Sequence, residues 1–186
     1  HFAVQLLHEV GVPAEVLQLL PGDGAVIGPL LTSDPRVSGV VFTGSTDVAW
    51  AINRSLAARP AALAPLIAET GGQNALIADS SALPEQLVKD AMTAAFDSAG
   101  QRCSAARILF VQADIADKVI NMLSGAMDEL VVGDPALLST DVGPVIDDDA
   151  LAVLAAHAER MDREARLMKA ARLPAADRRR WRRGPN

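Results

Sequence analysis

The chain has 186 residues, of which 50% are hydrophobic and 22% are charged, so it is long enough to form a packed core. The single cysteine excludes an internal disulfide framework and predicts a reducing, cytoplasmic location, and no apolar run is long enough to predict a membrane span. The formal net charge is −6, but residues 172–186 contain six arginines and one aspartate, so residues 1–171 are strongly acidic. An acidic body of this kind argues against nucleic-acid binding by the folded part.

The first part of the chain alternates between helix and strand patterns. The predicted elements are a helix over 2–10, a buried strand over 14–20, a helix interrupted at Pro29 over 25–33, a strand over 37–44 and an amphipathic helix over 45–59. This alternation is typical of a parallel sheet with helical crossovers.

After residue 65 the pattern changes. Two strands, "PLIAE" and "NALIA", lie too close together for a helical crossover between them. The later predicted elements are helices over 83–100, 113–130 and 147–172 and a strand over 106–112. We therefore predict an α/β protein with one lobe over residues 1–64, a second over 65–171 and a basic tail over 172–186.

The strand predicted before Gly44 runs directly into a helix through Ser45 and Thr46. A helix N-terminus offers free backbone N–H groups and a partial positive charge, so these residues suit a phosphate or pyrophosphate. Ordinary capping of the helix by Ser45 or Thr46 is the alternative interpretation. A weaker dinucleotide-like pattern, G-x-G-x-x-x-G, is formed upstream by Gly22, Gly24 and Gly28.

Two further stretches contain side chains suited to catalysis. Glu69 ends an apolar strand beside the Gly71-Gly72 pair, so it is either a general base or a solvated loop residue. Cys103 follows Gly100 and precedes small side chains that leave room for a substrate. Because a lone cysteine is more often a small buried hydrophobe than a nucleophile, the residues alone leave both interpretations open.

Taken together, "FTGST" (42–46), "ETGGQN" (69–74) and "FDSAGQRCSA" (96–105) resemble the NAD(P)-dependent aldehyde dehydrogenase family. The stretch "VGDPALLSTDVGPVID" (132–147) is also similar, and the resemblance covers nearly the whole chain. The motifs look most like the branch that oxidises L-glutamate γ-semialdehyde, or 1-pyrroline-5-carboxylate, in proline catabolism. The resemblance implies an aldehyde dehydrogenase-like fold with parts of a Rossmann-type NAD-binding lobe and of an α/β catalytic lobe.

The resemblance also implies the catalytic roles. Cys103 is expected to attack the aldehyde and form a thiohemiacetal, which loses hydride to NAD and becomes a thioester. Glu69 is expected to activate the water that hydrolyses the thioester, and the backbone N–H of Cys103 to supply half of the oxyanion site.

On the cofactor side the resemblance implies that Ser45 lies at the pyrophosphate and Val48 beside the adenine. Gly44, Gly24 and Gly28 complete the implied cofactor residues. FAD would belong only to a proline dehydrogenase part outside this chain, and no metal is expected, because the histidines and the cysteine match no zinc spacing.

Several groups that the family uses have no match in this chain. These are the asparagine of the oxyanion site, the lysine and glutamate that hold the cofactor riboses, and the loop that anchors the aldehyde. We therefore expect a middle part of a catalytic module that is inactive by itself and whose parent is a homo-oligomer. The tail over 172–186 does not resemble the family and is predicted to be disordered or the product of a frameshift.

Three other hypotheses are compatible with the residues. The chain could be a non-catalytic nucleotide-binding remnant, or its parent could act on a different aldehyde. A cysteine hydrolase that pairs Cys103 with His157 is disfavoured, because His157 lies in a predicted amphipathic helix that offers no oxyanion partner.

Overall fold

The structure is a computed structural model that describes residues 1–173. The chain divides into two compact units, His1–Thr70 and Gly71–Asn186. In the first, the helices and strands are α1 Phe2–Glu9, α2 Gly24–Ser33, β1 Val40–Thr43, α3 Thr46–Ala57 and β2 Leu66–Glu69. In the described part of the second they are β3 Asn74–Ala78, α4 Pro84–Phe96, β4 Ala106–Val111, α5 Ala113–Glu129 and α6 Asp148–Glu164.

The first unit contains a β-α-β arrangement. Strands β1 and β2 pair in parallel, with Val40 opposite Leu66 and Thr43 opposite Glu69, and α3 forms the connection between them. The predicted parallel pairing across a helical crossover is therefore present, but it joins residues 40–43 to residues 66–69 through α3 instead of joining the strands predicted over 14–20 and 37–44. The predicted lobe boundary after residue 64 lies upstream of the division between the units, because β2 pairs with β1.

Polar side chains tie α2 and the following turn to α3. The Thr32 hydroxyl, which is buried, donates to the Ser55 hydroxyl of α3 at 2.8 Å. The guanidinium of Arg59, which is buried, donates to the carbonyls of Asp34 at 2.7 Å and Val37 at 2.8 Å. These bonds satisfy carbonyls just after α2 and hold the chain as it enters β1.

Two sequence predictions in this unit are wrong. Residues 14–20 form turns and irregular backbone instead of a strand, since the N–H groups of Val16 and Leu17 donate back to the Pro13 carbonyl. A strand needs a neighbouring strand for its backbone groups, and β1 pairs with β2 alone among the described residues. Helix α2 also continues through Pro29, because proline removes one hydrogen bond without ending this short helix.

The second unit repeats the β-α-β arrangement. Strands β3 and β4 pair in parallel around the α4 connection, and α5 packs against α4. The core lies where the helices cover this sheet, and its members are Ala78, Leu87 and Val119, with Leu76, Ala82, Leu109, Val111 and Ile115 packed against them.

Two helices of the second unit are shorter than the sequence predicts. Helix α4 ends at Phe96, ahead of the predicted end at Gly100, and α6 ends at Glu164. The chain beyond α6 is tied to α5 by Asp128, which accepts from Lys169 at 2.5 Å and pairs with Arg172 at 3.2 Å. The hydrogen bond from Lys169 is the main reason that the pKa of Asp128 is lowered. The rest of the predicted basic tail, residues 174–186, lies outside the described residues.

Each two-stranded sheet leaves apolar side chains exposed on one face. Val41 and Ile67 are register partners in the first unit, and Ile77 and Phe110 are partners in the second. All four are exposed, Val41 to 79% and Ile77 to 78%. Uncovered apolar surface of this kind favours association with other surfaces. No helix within residues 1–173 has the length and apolar character needed to cross a membrane.

Candidate functional site

The carboxyl ends of β1 and β2 bring two predicted site segments together in the first unit. The N–H of Gly44 donates to the carbonyl of Glu69 at 3.1 Å, and Glu69 lies opposite Thr43 in the strand register. The side chain of Glu69 is exposed. The predicted general base therefore lies beside the turn predicted to bind the cofactor. In parallel α/β sheets, ligands bind at the carboxyl ends of the strands, which is where both segments lie. The sequence pattern alone predicts that these segments lie in different lobes.

Ser45 caps helix α3. Its side-chain oxygen accepts from the backbone N–H of Val48 at 3.3 Å, so the capping interpretation of this residue is confirmed. Capping does not use the N–H groups of Thr46 and Asp47, which have no acceptor within an α-helix. The arrangement therefore fits a phosphate group, although the Asp47 carboxylate in the same turn opposes an anion.

The glycines predicted at the cofactor have different surroundings. A Cβ atom at Gly44 would lie 2.4 Å from Cζ of Phe42, so only glycine leaves room for this ring position. Gly24 and Gly28 lie in α2, which is capped by Asp23, and a Cβ at either would meet no described atom within 4 Å. Packing within the chain therefore explains Gly44, but it explains neither glycine of α2.

The second unit presents Cys103 after an unusual turn. Beyond α4 the chain forms a short 3₁₀ turn in which Ser98, Ala99 and Gly100 have φ values of 57°, 53° and 68°. Left-handed backbone costs an ordinary L-residue roughly 1–2 kcal/mol, so two non-glycine residues hold an unfavourable conformation directly before the cysteine loop. Such strain persists only where surrounding contacts impose it.

Gln101 supplies one set of these contacts. Its backbone N–H donates to the Ser98 carbonyl at 3.0 Å, and its Nε2 donates to the same oxygen at 3.2 Å. Its Oε1 accepts from the N–H of Ile146, just before α6, at 2.8 Å. Gln101 therefore joins the left-handed turn to a segment far along the chain.

Asn74 holds the other side of the loop. Its Nδ2 donates to the carbonyl of Cys103 at 2.6 Å and to that of Ala105 at 3.0 Å. Ala105 is fully buried and its N–H donates to the Arg102 carbonyl at 3.1 Å, whereas Cys103 is exposed. The loop is thus fixed at its base with the thiol on the accessible side, so the buried structural interpretation of Cys103 is wrong for this structure.

Arg102, which the sequence places beside the thiol, is directed toward α4. Its guanidinium donates to the Thr93 carbonyl at 3.4 Å and lies 3.9 Å from the Asp97 carboxylate. Sequence adjacency to Cys103 therefore does not translate into a charge pair with it.

Asn74 and Gln101 are functional candidates that the sequence patterns do not single out. Both lie inside the motifs that carry the family resemblance, and both are amide side chains next to glycine-containing turns. An amide beside such a turn can bond to exposed backbone groups, and this is the signal in the sequence by which they could have been found.

The remaining candidate, His157, lies in α6, where its Nδ1 is 3.1 Å from Nη2 of Arg160. Within residues 1–173 no group of three or more His, Cys, Asp or Glu side chains is arranged to hold a metal ion.

Gly100→Ala tests whether the left-handed turn is required. The substitution places a Cβ on a residue with φ of 68° and 2.9 Å from the Ala95 carbonyl oxygen. We expect the free energy of unfolding of the second unit to fall by about 2 kcal/mol, measured by urea denaturation followed by circular dichroism. The matched control is Gly125→Ala in α5, where a Cβ meets nothing within 4 Å and helix propensity favours alanine by roughly 1 kcal/mol. Equal stability of the two variants would show that the turn is not needed.

Comparison with known proteins identifies relatives of the chain. The profile described as "Aldehyde dehydrogenase family" matches residues 1–179. The chain is 51% identical over 185 residues to the bifunctional protein PutA of Escherichia coli (strain K12), covering 97% of this chain and 14% of that protein. It is 38% identical over 167 residues to the 1-pyrroline-5-carboxylate dehydrogenase of Geobacillus thermodenitrificans (strain NG80-2). That match covers 88% of this chain and 32% of the dehydrogenase.

A solved structure agrees with these matches. A mutant of Proline Utilization A (PutA) from Bradyrhizobium japonicum superposes with a TM-score of 0.90 and 56% sequence identity, covering 94% of this chain and 18% of that one. The α/β fold with aldehyde dehydrogenase-like architecture, expected from the resemblance, is therefore confirmed. The chain spans less than a third of the length of each of these relatives.

Proposed function

The chain belongs to the aldehyde dehydrogenase family, and from that premise we propose that the protein carrying it oxidises L-glutamate γ-semialdehyde to glutamate with NAD. The observation that carries the proposal is the exposed Cys103 in a loop that side-chain amides hold from both sides. The names of the relatives, PutA and 1-pyrroline-5-carboxylate dehydrogenase, support the choice of this aldehyde and a place in proline catabolism.

Two side chains carry the proposed chemistry. The Cys103 thiolate bonds to the aldehyde carbon, and the backbone N–H of Cys103 donates to the oxyanion of the thiohemiacetal. Bound NAD supplies the acceptor for the hydride that leaves this carbon, and the product on the enzyme is a thioester. Glu69 takes a proton from a water molecule while the oxygen of that water bonds to the thioester carbon. The carbon–sulfur bond then breaks, which releases glutamate and the Cys103 thiolate.

The cofactor would be held at the start of α3. The free N–H groups of its first turn suit the pyrophosphate, with the hydroxyl of Ser45 beside it and Val48 at the adenine. Gly44 directly precedes this turn and is proposed to lie at the cofactor, with the Phe42 ring filling the space beside its Cα. Gly24 and Gly28 of α2 are the other two residues proposed to contact NAD. None of the five cofactor residues, Ser45, Val48, Gly44, Gly24 and Gly28, is proposed to bind FAD.

The substrate assignment is tested on the full-length protein with NAD and L-glutamate γ-semialdehyde, by following NADH absorbance. We expect kcat/KM to exceed that for propionaldehyde by about 10²-fold or more, because a site built to bind charged and polar groups discriminates strongly against analogues that lack them. A preference for the simple aldehyde would replace the proposed substrate. No NADH with any aldehyde would favour a nucleotide-binding remnant.

The 186-residue chain alone is expected to show no turnover. The second oxyanion donor and the ribose-binding residues of the family have no match in it, and loss of one such donor costs about 10²–10³ in kcat. The exposed apolar partners Val41 and Ile67, and Ile77 and Phe110, predict that the chain elutes from a sizing column as an associated species. NADH formation by the purified chain that disappears in Cys103→Ala would show that this expectation is wrong.

The proposal also includes a cytoplasmic location, because a reactive unpaired thiol is best preserved in a reducing compartment. The full-length protein is expected to form a homo-oligomer, to act on a small aldehyde and to have no nucleic-acid partner through this acidic segment.

A further inference from the structure

Asn74 occupies an irregular point in the second sheet. It is the first residue of β3 and lies opposite Ala106, but the next residue, Ala75, lies opposite Ile108, so Arg107 is left out of the register. A residue left out of a ladder interrupts the regular backbone bonds. At this interruption the side chain of Asn74 bonds to the loop that precedes β4.

The two bonds use both protons of one amide group. The carbonyls of Cys103 and Ala105 lie on either side of Ser104, and Nδ2 of Asn74 is 2.6 Å from the first and 3.0 Å from the second. The opposite orientation of the amide would place its oxygen against two carbonyl oxygens, so the chemistry requires the nitrogen at this position. Gly72 leaves space for the amide oxygen, because a Cβ there would lie 3.1 Å from Oδ1.

These bonds control the residue that carries the thiol. A fixed Cys103 carbonyl limits rotation about the Cα–C bond, and the buried Ala105 fixes the loop on its other side. The restricted backbone geometry in turn limits which rotamers the Cys103 side chain can adopt. We propose that Asn74 is a positioning residue that aims Cys103 at the aldehyde carbon, an inference that rests on the proposed function of Cys103.

The contact is tested first in the full-length protein, by hydrogen exchange of peptides that cover residues 101–106. Asn74→Asp keeps the shape of the side chain but removes both donors and places a carboxylate against two carbonyls, so exchange is expected to become faster. Asn74→Ser keeps one hydroxyl donor and serves as the variant if the aspartate prevents folding. Asn121→Asp, the same change at an exposed position of α5, is the matched control and should leave exchange in this segment as it is.

Positioning is tested in the full-length protein by the rate of the first NADH turnover per folded enzyme. We expect Asn74→Asp to lower this rate about 10²-fold, the loss typical of a reacting group misplaced by about 1 Å. The KM for NAD should stay within twofold of the wild-type value. The rate of Asn74→Ser should lie between those of Asn74→Asp and the wild type. A purely structural role would reduce the amount of folded enzyme without changing the rate per site.

The outcomes separate the two proposals. Unchanged exchange in both Asn74 variants, or a first-turnover rate per folded enzyme within threefold of wild type, would overturn the role of Asn74. A wild-type protein that oxidises no aldehyde would overturn the proposed function and with it the aiming role. Hydrogen exchange in that case still decides whether Asn74 holds the loop.

Discussion

Cys103→Ala in the full-length protein is expected to abolish NADH formation, with turnover lowered by at least about 10⁴-fold. The reason is that hydride leaves from a carbon bonded to the sulfur, so removal of the nucleophile removes the intermediate as well as a contact. Cys103 is also the only cysteine of the chain, so no second thiol in this segment can replace it. The measurement is NADH absorbance with saturating NAD and L-glutamate γ-semialdehyde.

Two further variants make this result specific. Ser139→Ala removes one heavy atom from another exposed residue of the second unit and should leave turnover within about twofold. Cys103→Ser keeps the shape of the thiol but has a far weaker nucleophile, so it should also be inactive while it still binds NAD. Turnover in Cys103→Ala above a hundredth of wild type would exclude a covalent role for this residue.

Glu69→Gln should separate the two halves of the reaction. A general base acts on water after the first NADH has formed, so the burst of one NADH per site should survive while the steady rate falls by about 10²–10⁴-fold. The substitution keeps the size of an exposed side chain at the end of β2, and it leaves intact the backbone bond from Gly44 to the Glu69 carbonyl. Stopped-flow absorbance resolves the burst from the steady phase.

The matched control is Glu159→Gln, the same loss of charge at an exposed position of α6, which should change neither phase. If Glu69→Gln lowers the burst and the steady rate equally, Glu69 acts before hydride transfer. If both phases are unchanged, another group activates the water.

Much of the fold follows from local patterns in the sequence. The helices around residues 2–9, 46–57 and 113–129 and the strands at residues 40–43 and 74–78 all lie within predicted elements. Their apolar spacing and their turn residues act over a few neighbours, which is why they can be read without the rest of the chain. The motifs around Glu69 and Cys103 likewise identified the family, as the comparisons confirm.

Other features depended on contacts between distant residues. Residues 14–20 have the composition of a strand, but they form turns because no described strand pairs with them. The end of α4 at Phe96 and the left-handed turn after it depend on Gln101, whose amide donates to the Ser98 carbonyl and accepts from the N–H of the distant Ile146. Composition near Gly100 predicts a helix end, but it does not predict three successive residues with positive φ.

The sequence by itself determined the type of most elements, with the strand predicted over 14–20 as an exception, together with the nucleophile and base candidates and the family to which the chain belongs. Only the tertiary structure decided that Glu69 lies beside Gly44 at one sheet edge and that Asn74 holds the carbonyl of Cys103. The physical reason is the separation along the chain over which each kind of interaction acts. Propensity and hydrophobic spacing act between neighbours, whereas a bond between residues 29 positions apart forms only when the paired strands bring them together.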